Sequence, residues 1–152
     1  AITEANTLIC RDSKASMFVT LFYLVIDSKK RQITYVNAGH NPPLMLTGGD
    51  LSDITLLKAE GIALGIIDDI DLASVTVDLK KGDMVALYTD GITEAMNKDG
   101  EEYGIERFTE VLMQNRDLDL SALINTIKTS IKEFTKDAPQ SDDITLILFR
   151  AV

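Results

Sequence analysis

The first part of the chain consists of short apolar runs separated by polar turns, a pattern typical of strands. Runs 17–27 and 33–37 flank a polar turn at 28–31, which predicts a hairpin. Because run 17–27 is apolar on both faces and rich in β-branched and aromatic residues, we expect a central strand covered on each side. Further strands are predicted at 44–46, ended by a turn at 48–50, and at 54–57, 72–79 and 84–88.

The hydrophobic period then lengthens to that of a helix. Apolar residues from Ile105 to Leu112 mark one amphipathic helix, and those from Leu123 to Phe134 mark another, with Asp119 or Ser121 as its N-cap. Residues 1–10 are interpreted as the end of a helix, and 144–149 as a closing strand. Strands followed by helices and a closing strand predict an α+β fold with mainly antiparallel pairing and the helices packed outside.

Charge and cysteine content narrow the class of partner and compartment. The net charge of -9 argues against a nucleic acid or an anionic membrane as partner, because both require a basic surface. Cys10 is the only cysteine, so no intrachain disulfide can form, which favours a reducing, cytoplasmic location. No apolar run approaches the roughly 18 residues that span a bilayer, and no signal peptide is visible.

Acidic residues at the ends of two predicted strands are the main candidates for chemistry. Asp90 follows strand 84–88 directly and precedes Gly91, while Asp142 and Asp143 lie where the closing strand begins. If the two strands are antiparallel neighbours, these carboxylates meet at one edge of the sheet. Clustered carboxylates repel one another unless a cation neutralises them, and a site with only oxygen ligands favours Mg²⁺ or Mn²⁺. Gly91 would let its backbone approach closely and offer its carbonyl as a ligand.

Each of these features also has a purely structural interpretation. Asp-Gly is a common turn dipeptide, and Ser141 with the two aspartates after it can simply cap a loop. His40 is the only histidine and is more often a loop residue than a catalyst; a cluster of histidine ligands is therefore excluded. The specificity of the prediction depends on the full set of sequence strings and their order.

Strings 17–23, 37–43, 88–95 and 142–146, together with 61–65 and 108–110, resemble the type 2C (PPM) phosphatases. The similarity is to the bacterial sporulation stage II protein E-like branch and extends from Met17 to the end of the chain. It implies a four-layer αββα sandwich of two mainly antiparallel sheets flanked by helices. It also implies hydrolysis of phosphoserine or phosphothreonine on a bacterial regulatory protein, such as an anti-anti-sigma factor.

The same resemblance assigns roles to individual residues. Two Mn²⁺ or Mg²⁺ ions are expected, with Asp90, Gly91 and Asp142 among their ligands. Asp143 stands where relatives often carry Asn, so we expect it to support the ligands rather than bind metal. Distant relatives carry at the position of His40 an aspartate associated with an extra metal, so no extra metal is expected there. No substrate-binding residue is identified.

The resemblance has a departure at its start. The family's first metal motif, a Gly-Asp-x-Ser-Gly type string, is absent and is expected upstream of residue 1. Residues 1–152 are therefore interpreted as a single partial domain that lacks its first strands and helices and is inactive alone. We expect an upstream sensory or receiver domain, and an exposed sheet edge open to homodimer formation. The alternative is a non-catalytic protein-interaction module of the same fold.

Overall fold

The computed structural model describes residues 1–12, 17–48, 53–136, 138–140 and 142–152. The predicted turn at 48–50 therefore lies largely outside the described residues, as does Ser141. The elements are α1 (Ile2–Asp12), β1 (Leu21–Asp27), β2 (Gln32–Ala38), β3 (Leu44–Leu46), β4 (Ile54–Leu56), β5 (Val75–Asp78), β6 (Met84–Tyr88), α2 (Asp90–Thr93), α3 (Gly104–Gln114), α4 (Leu120–Thr135) and β7 (Leu146–Arg150).

The elements are distributed over two compact units, each with its own sheet. The first unit comprises Ala1–Pro42 and Leu57–Lys80, and the second comprises Pro43–Leu56 and Lys81–Val152. Every pairing between the named strands is antiparallel, which confirms the predicted α+β class. The interpretation of the chain as one domain stays a prediction.

In the first unit, the described strands pair in the order β1-β2-β5. The predicted hairpin is confirmed, with a register that runs from Leu21 opposite Ala38 to Asp27 opposite Gln32. Its turn is held by the Asp27 carboxylate, which accepts hydrogen bonds from the amides of Lys29 (3.0 Å) and Lys30 (2.9 Å). This local bond explains why the polar stretch reverses the chain at this point.

The prediction that the first strand is central and covered on both faces was wrong. Among the described residues β1 pairs with β2 alone and lies at the edge of its sheet. The side chains of Tyr23, Val25 and Ile26 are about half exposed, at 51%, 49% and 48%. An apolar run on both faces signals only that both faces favour burial. It does not specify the neighbours that would provide it.

In the second unit, the order is β4-β3-β6-β7 among the described strands. The large core of this unit combines side chains of β3 and β6 with the apolar stripes of α3 and α4. The α4 stripe is as predicted, and Asp119 is its N-cap, accepting from the amides of Ser121 and Ala122 (both 3.0 Å). The closing strand β7 is less buried than predicted, because it lies at the sheet edge with Ile147 56% exposed.

No helix within the described ranges is long and apolar enough to cross a membrane. The cytoplasmic location stays a prediction.

Candidate metal centre

Strands β6 and β7 are antiparallel neighbours, as the metal prediction required. Their register runs from Met84 opposite Arg150 to Tyr88 opposite Leu146. Asp90 comes just after the end of β6, and Asp142 and Asp143 come just before the start of β7. The antiparallel register therefore brings the two acidic segments to the same end of the sheet.

Thr89 joins the two segments through both its backbone and its side chain. Its amide donates to the Thr145 carbonyl (3.2 Å), which extends the ladder beyond β6. Its hydroxyl donates to the Asp143 carbonyl (2.9 Å) and accepts from the Thr145 amide (3.0 Å). Because one hydroxyl satisfies a donor and an acceptor on the opposite segment, it fixes the path of residues 143–145 beside Asp90. Sequence reasoning missed this role.

Gly91 lies directly against the backbone of the opposite segment and is buried. A Cβ atom placed on it would overlap the Asp143 carbonyl oxygen and lie 2.9 Å from the Asp143 carbonyl carbon. The position therefore excludes every residue larger than glycine unless the backbone moves. This explains the glycine after Asp90 by close approach of two backbones, rather than by turn geometry alone.

The carboxylates themselves lie at the surface. Asp90, Asp142 and Asp143 are all exposed. One oxygen of Asp90 accepts from the Gly91 amide (3.1 Å), and one of Asp142 accepts from the Asp143 amide (2.7 Å). None of the three forms an ion pair within the part of the chain that the structure describes. Their negative charge is therefore not neutralised by a basic side chain of those residues.

These donors fit a hard divalent cation in type, but they do not complete a cage. Exposed carboxylate oxygens beside a buried glycine suit Mg²⁺ or Mn²⁺. The described residues contain no group of three or more histidine, cysteine or acidic side chains placed to hold a metal ion. Additional ligands would therefore have to be water, phosphate oxygens, backbone carbonyls or other residues.

His40 lies in the first unit, in a loop whose conformation depends on Asn37. The Asn37 side chain accepts from the His40 amide (2.8 Å) and donates to the His40 carbonyl (2.9 Å). The Thr20 hydroxyl lies 3.1 Å from the Nδ1 atom of His40. Gly39 has a φ of +71°, and a Cβ there would lie 2.9 Å from the Ala63 amide nitrogen, so only glycine fits. These contacts are those of an ordered loop.

The lone thiol shows no sign of activation. Cys10 in α1 donates weakly to the side-chain oxygen of Asn6, at 3.8 Å. Burial, together with the nearby Asp68 carboxylate, raises the pKa of the Cys10 thiol. A raised pKa disfavours the thiolate, which is consistent with the structural role predicted for this residue.

Replacing Thr89 by Val is expected to weaken the junction of the two acidic segments. The variant keeps the volume of the side chain but loses two hydrogen bonds, so we expect a loss of about 1–2 kcal/mol in the free energy of unfolding. Urea unfolding followed by circular dichroism measures it. Thr89→Ser keeps the hydroxyl and should lose much less. Equal losses in the two variants would contradict the assigned role of the hydroxyl.

Comparison with known proteins agrees with this geometry. The family model described as Stage II sporulation protein E (SpoIIE) matches residues 1–152. Phosphoserine phosphatase RsbU of Bacillus subtilis (strain 168) is 33% identical over 151 residues, which cover 98% of this chain and 44% of RsbU. The chain therefore spans less than half the length of this curated relative.

Two solved structures show the fold. The SiaA-PP2C domain of Pseudomonas aeruginosa matches with a TM-score of 0.82 and 22% identity, covering 98% of this chain and 58% of that one. The Mn-presoaked phosphatase domain of SpoIIE from Bacillus subtilis matches with a TM-score of 0.68 and 20% identity, covering 99% and 64%. The chain has the PP2C-type fold, and it belongs to the Stage II sporulation protein E (SpoIIE) family.

Proposed function

We propose that this chain is part of the catalytic domain of a metal-dependent protein serine/threonine phosphatase. The observation that carries the proposal is the junction of the Asp90–Gly91 turn with residues 142–143, which places unneutralised carboxylates at one end of the β6–β7 pair. Family membership and the similarity to RsbU, a phosphoserine phosphatase, support it.

In this proposal, Asp90 and Asp142 hold Mn²⁺ or Mg²⁺, with two ions expected in the active domain. Bound metal would lower the pKa of a coordinated water and neutralise the phosphoryl oxygens. A structure presoaked with Mn, that of the SpoIIE phosphatase domain, is consistent with the choice of ion. Gly91 contributes a backbone that can approach the site closely, and its carbonyl is proposed as a weaker ligand.

The remaining residues of the junction position the two carboxylates. Thr89 holds the path of residues 143–145 through its hydroxyl. Asp143 anchors that path through its carbonyl and its amide, which donates to the Asp142 carboxylate. This agrees with the expectation that Asp143 supports the ligands rather than binding metal. No side chain is required as a nucleophile, because metal-activated water attacks the phosphate directly in this mechanism.

The proposed substrate is a phosphorylated bacterial regulatory protein, such as an anti-anti-sigma factor. The full gene product is proposed to carry an upstream sensory or receiver domain, and to act as the output of a signalling protein in the cytoplasm. Formation of a homodimer through an exposed sheet edge stays a prediction, for which β1 is the candidate because of its exposed apolar side chains.

Hydrolysis of p-nitrophenyl phosphate tests the proposal directly. The full natural gene product is expected to turn the compound over in the presence of Mn²⁺, and a chelator should abolish the activity. The isolated chain is expected to be inactive, since the family's first metal motif is not among its residues. Turnover that persists in chelator would contradict a metal mechanism.

A second candidate function is a protein-interaction module without catalysis. One observation favours it: the described residues do not group three or more metal-binding side chains. A full gene product that folds but shows neither Mn²⁺ binding nor Mn²⁺-dependent turnover would support this alternative.

A further inference from the structure

A groove in the second unit runs beside the candidate metal centre and has no role in the proposed chemistry. We call it the α4 groove. It has a volume of about 880 Å³. Helix α4 supplies Ile124, Lys128 and Lys132 to its lining, and the segments that flank the acidic junction supply Ile92, Met96 and Ile144.

The charge of the α4 groove is opposite to that of the chain. The chain carries 24 acidic against 15 basic residues. Of the described residues that line the groove, two are lysines and none is acidic. Lys128 and Lys132 are exposed, and neither ammonium group pairs with a carboxylate within the described ranges. The groove is thus a cationic site on an anionic protein, and it favours an acidic occupant.

The walls of the groove are apolar and partly open to solvent. Met96 is 43% exposed and Ile144 is 37% exposed, while Ile92, Ile127 and Ile131 are buried beneath. Apolar side chains gathered in an open concave surface are a common feature of binding grooves, because a partner can bury them. A partner that fills this groove must therefore bring apolar side chains as well as negative charge.

The groove is continuous with the acidic junction at two points. Gly91, which packs against the Asp143 backbone, is one of its lining residues. Gln140 is another, and its side-chain amide donates to the Asp142 carbonyl (2.7 Å). A chain segment bound in the groove would therefore lie next to the residues proposed to bind metal.

From these observations we infer that the α4 groove binds a segment of the phosphoprotein substrate next to its phosphorylated residue. The segment carries acidic side chains that pair with Lys128 and Lys132, and apolar side chains that cover Met96 and Ile144. The inference rests on the proposed phosphatase function and adds to it a determinant of substrate choice.

Two synthetic phosphoserine peptides test the inference. In one, the phosphoserine is flanked by leucine and glutamate; in the other, each glutamate is replaced by lysine. Binding to this chain without metal is measured by fluorescence anisotropy, so that no turnover is needed. The glutamate peptide is expected to bind about tenfold more tightly, since two exposed ion pairs and the avoided repulsion together reach this size. The preference should fall as salt is added.

Charge reversal at the groove provides the decisive comparison. K128E/K132E should lose the preference for the glutamate peptide. The matched variant K29E/K58E makes the same change in net charge at lysines of the first unit that do not line the groove, and it should keep the preference. Equal behaviour of the two variants, or no preference in the unmodified chain, would overturn the inference.

Two further outcomes remain distinguishable. A dimer in gel filtration that K128E/K132E abolishes would assign the groove to a second copy of the chain and overturn the inference. Failure of the proposed phosphatase function would appear elsewhere, as the absence of Mn²⁺-dependent hydrolysis of p-nitrophenyl phosphate by the full gene product. That small substrate carries neither acidic nor apolar flanking residues, so its hydrolysis reports on the metal centre and not on the groove.

Discussion

Asp90→Asn is expected to lower Mn²⁺-dependent hydrolysis of p-nitrophenyl phosphate by the full gene product by about 100-fold or more. Loss of a residue that merely supports a metal ligand costs roughly 10–100-fold, so loss of a ligand should cost at least as much. The substitution keeps the size and hydrogen-bonding ability of the side chain and removes only its charge. The effect would therefore report on charge at the metal, not on packing.

Metal-induced stabilisation gives a second measure of the Asp90 effect that does not depend on turnover. At Mn²⁺ concentrations of 100 times the dissociation constant, binding to the unmodified protein should add about 2.7 kcal/mol to the free energy of unfolding. A 100-fold weaker site would add only about 0.4 kcal/mol at the same concentration. Without metal, the stability should change by less than about 0.5 kcal/mol, because Asp90 is exposed.

Other acidic residues provide matched controls for Asp90→Asn. Asp142→Asn should show a loss of the same size, and Asp143→Asn a smaller one, if the proposed roles are correct. Asp117 lies in the same unit with its side chain 98% exposed, and Asp117→Asn should retain activity. Equal losses at Asp90 and Asp117 would show a general effect of net charge and would contradict the assignment.

Gly91→Ala is expected to lower the free energy of unfolding by about 2–3 kcal/mol and to remove Mn²⁺-dependent stabilisation. Two effects compete at this position in α2. Alanine favours a helix over glycine by roughly 1 kcal/mol. The new methyl group, however, would overlap the Asp143 backbone, which cannot rotate away as a side chain can. Forcing extra volume into packed structure costs about 1–3 kcal/mol or more, so the clash should prevail.

Gly100→Ala separates the effect of this clash from that of losing any glycine. Gly100 has a φ of +78°, and a Cβ there would meet nothing within 4 Å. Its replacement should therefore cost about 1–2 kcal/mol through backbone conformation alone and leave Mn²⁺ binding intact. Thermal unfolding with and without Mn²⁺ measures both properties. A Gly91→Ala protein as stable as the unmodified one would refute the close approach of the two segments.

Features that depend on neighbours along the chain were predictable from the sequence. The predicted strand 84–88 coincides with β6, and the predicted hairpin turn forms between β1 and β2. Asp119 caps α4 because its carboxylate reaches amides only two and three residues ahead. Such interactions are complete within a few residues, so the local pattern contains the information that they need. The order of the family's sequence strings likewise identified the family.

The metal prediction depended on a pairing that no local pattern reveals. Periodicity left the neighbour of the closing strand open, and only the structure places β7 beside β6. Once that pair forms, Asp90 and Asp142 come to the same end of the sheet. Their meeting therefore follows from long-range pairing, and the sequence could state it only as a condition.

The remaining features of the site were decided by tertiary structure. Thr89 has no sequence feature that distinguishes it from other strand-end threonines, and its role arises from the opposite segment. The exposure of β1 and β7 follows from their places at sheet edges. The α4 groove combines residues from three separate segments, whose charges have meaning only when they are adjacent. The sequence by itself determined the elements, the family and the candidate carboxylates. The partners of each side chain were decided by packing between distant segments, because burial and hydrogen bonding there depend on which strands pair.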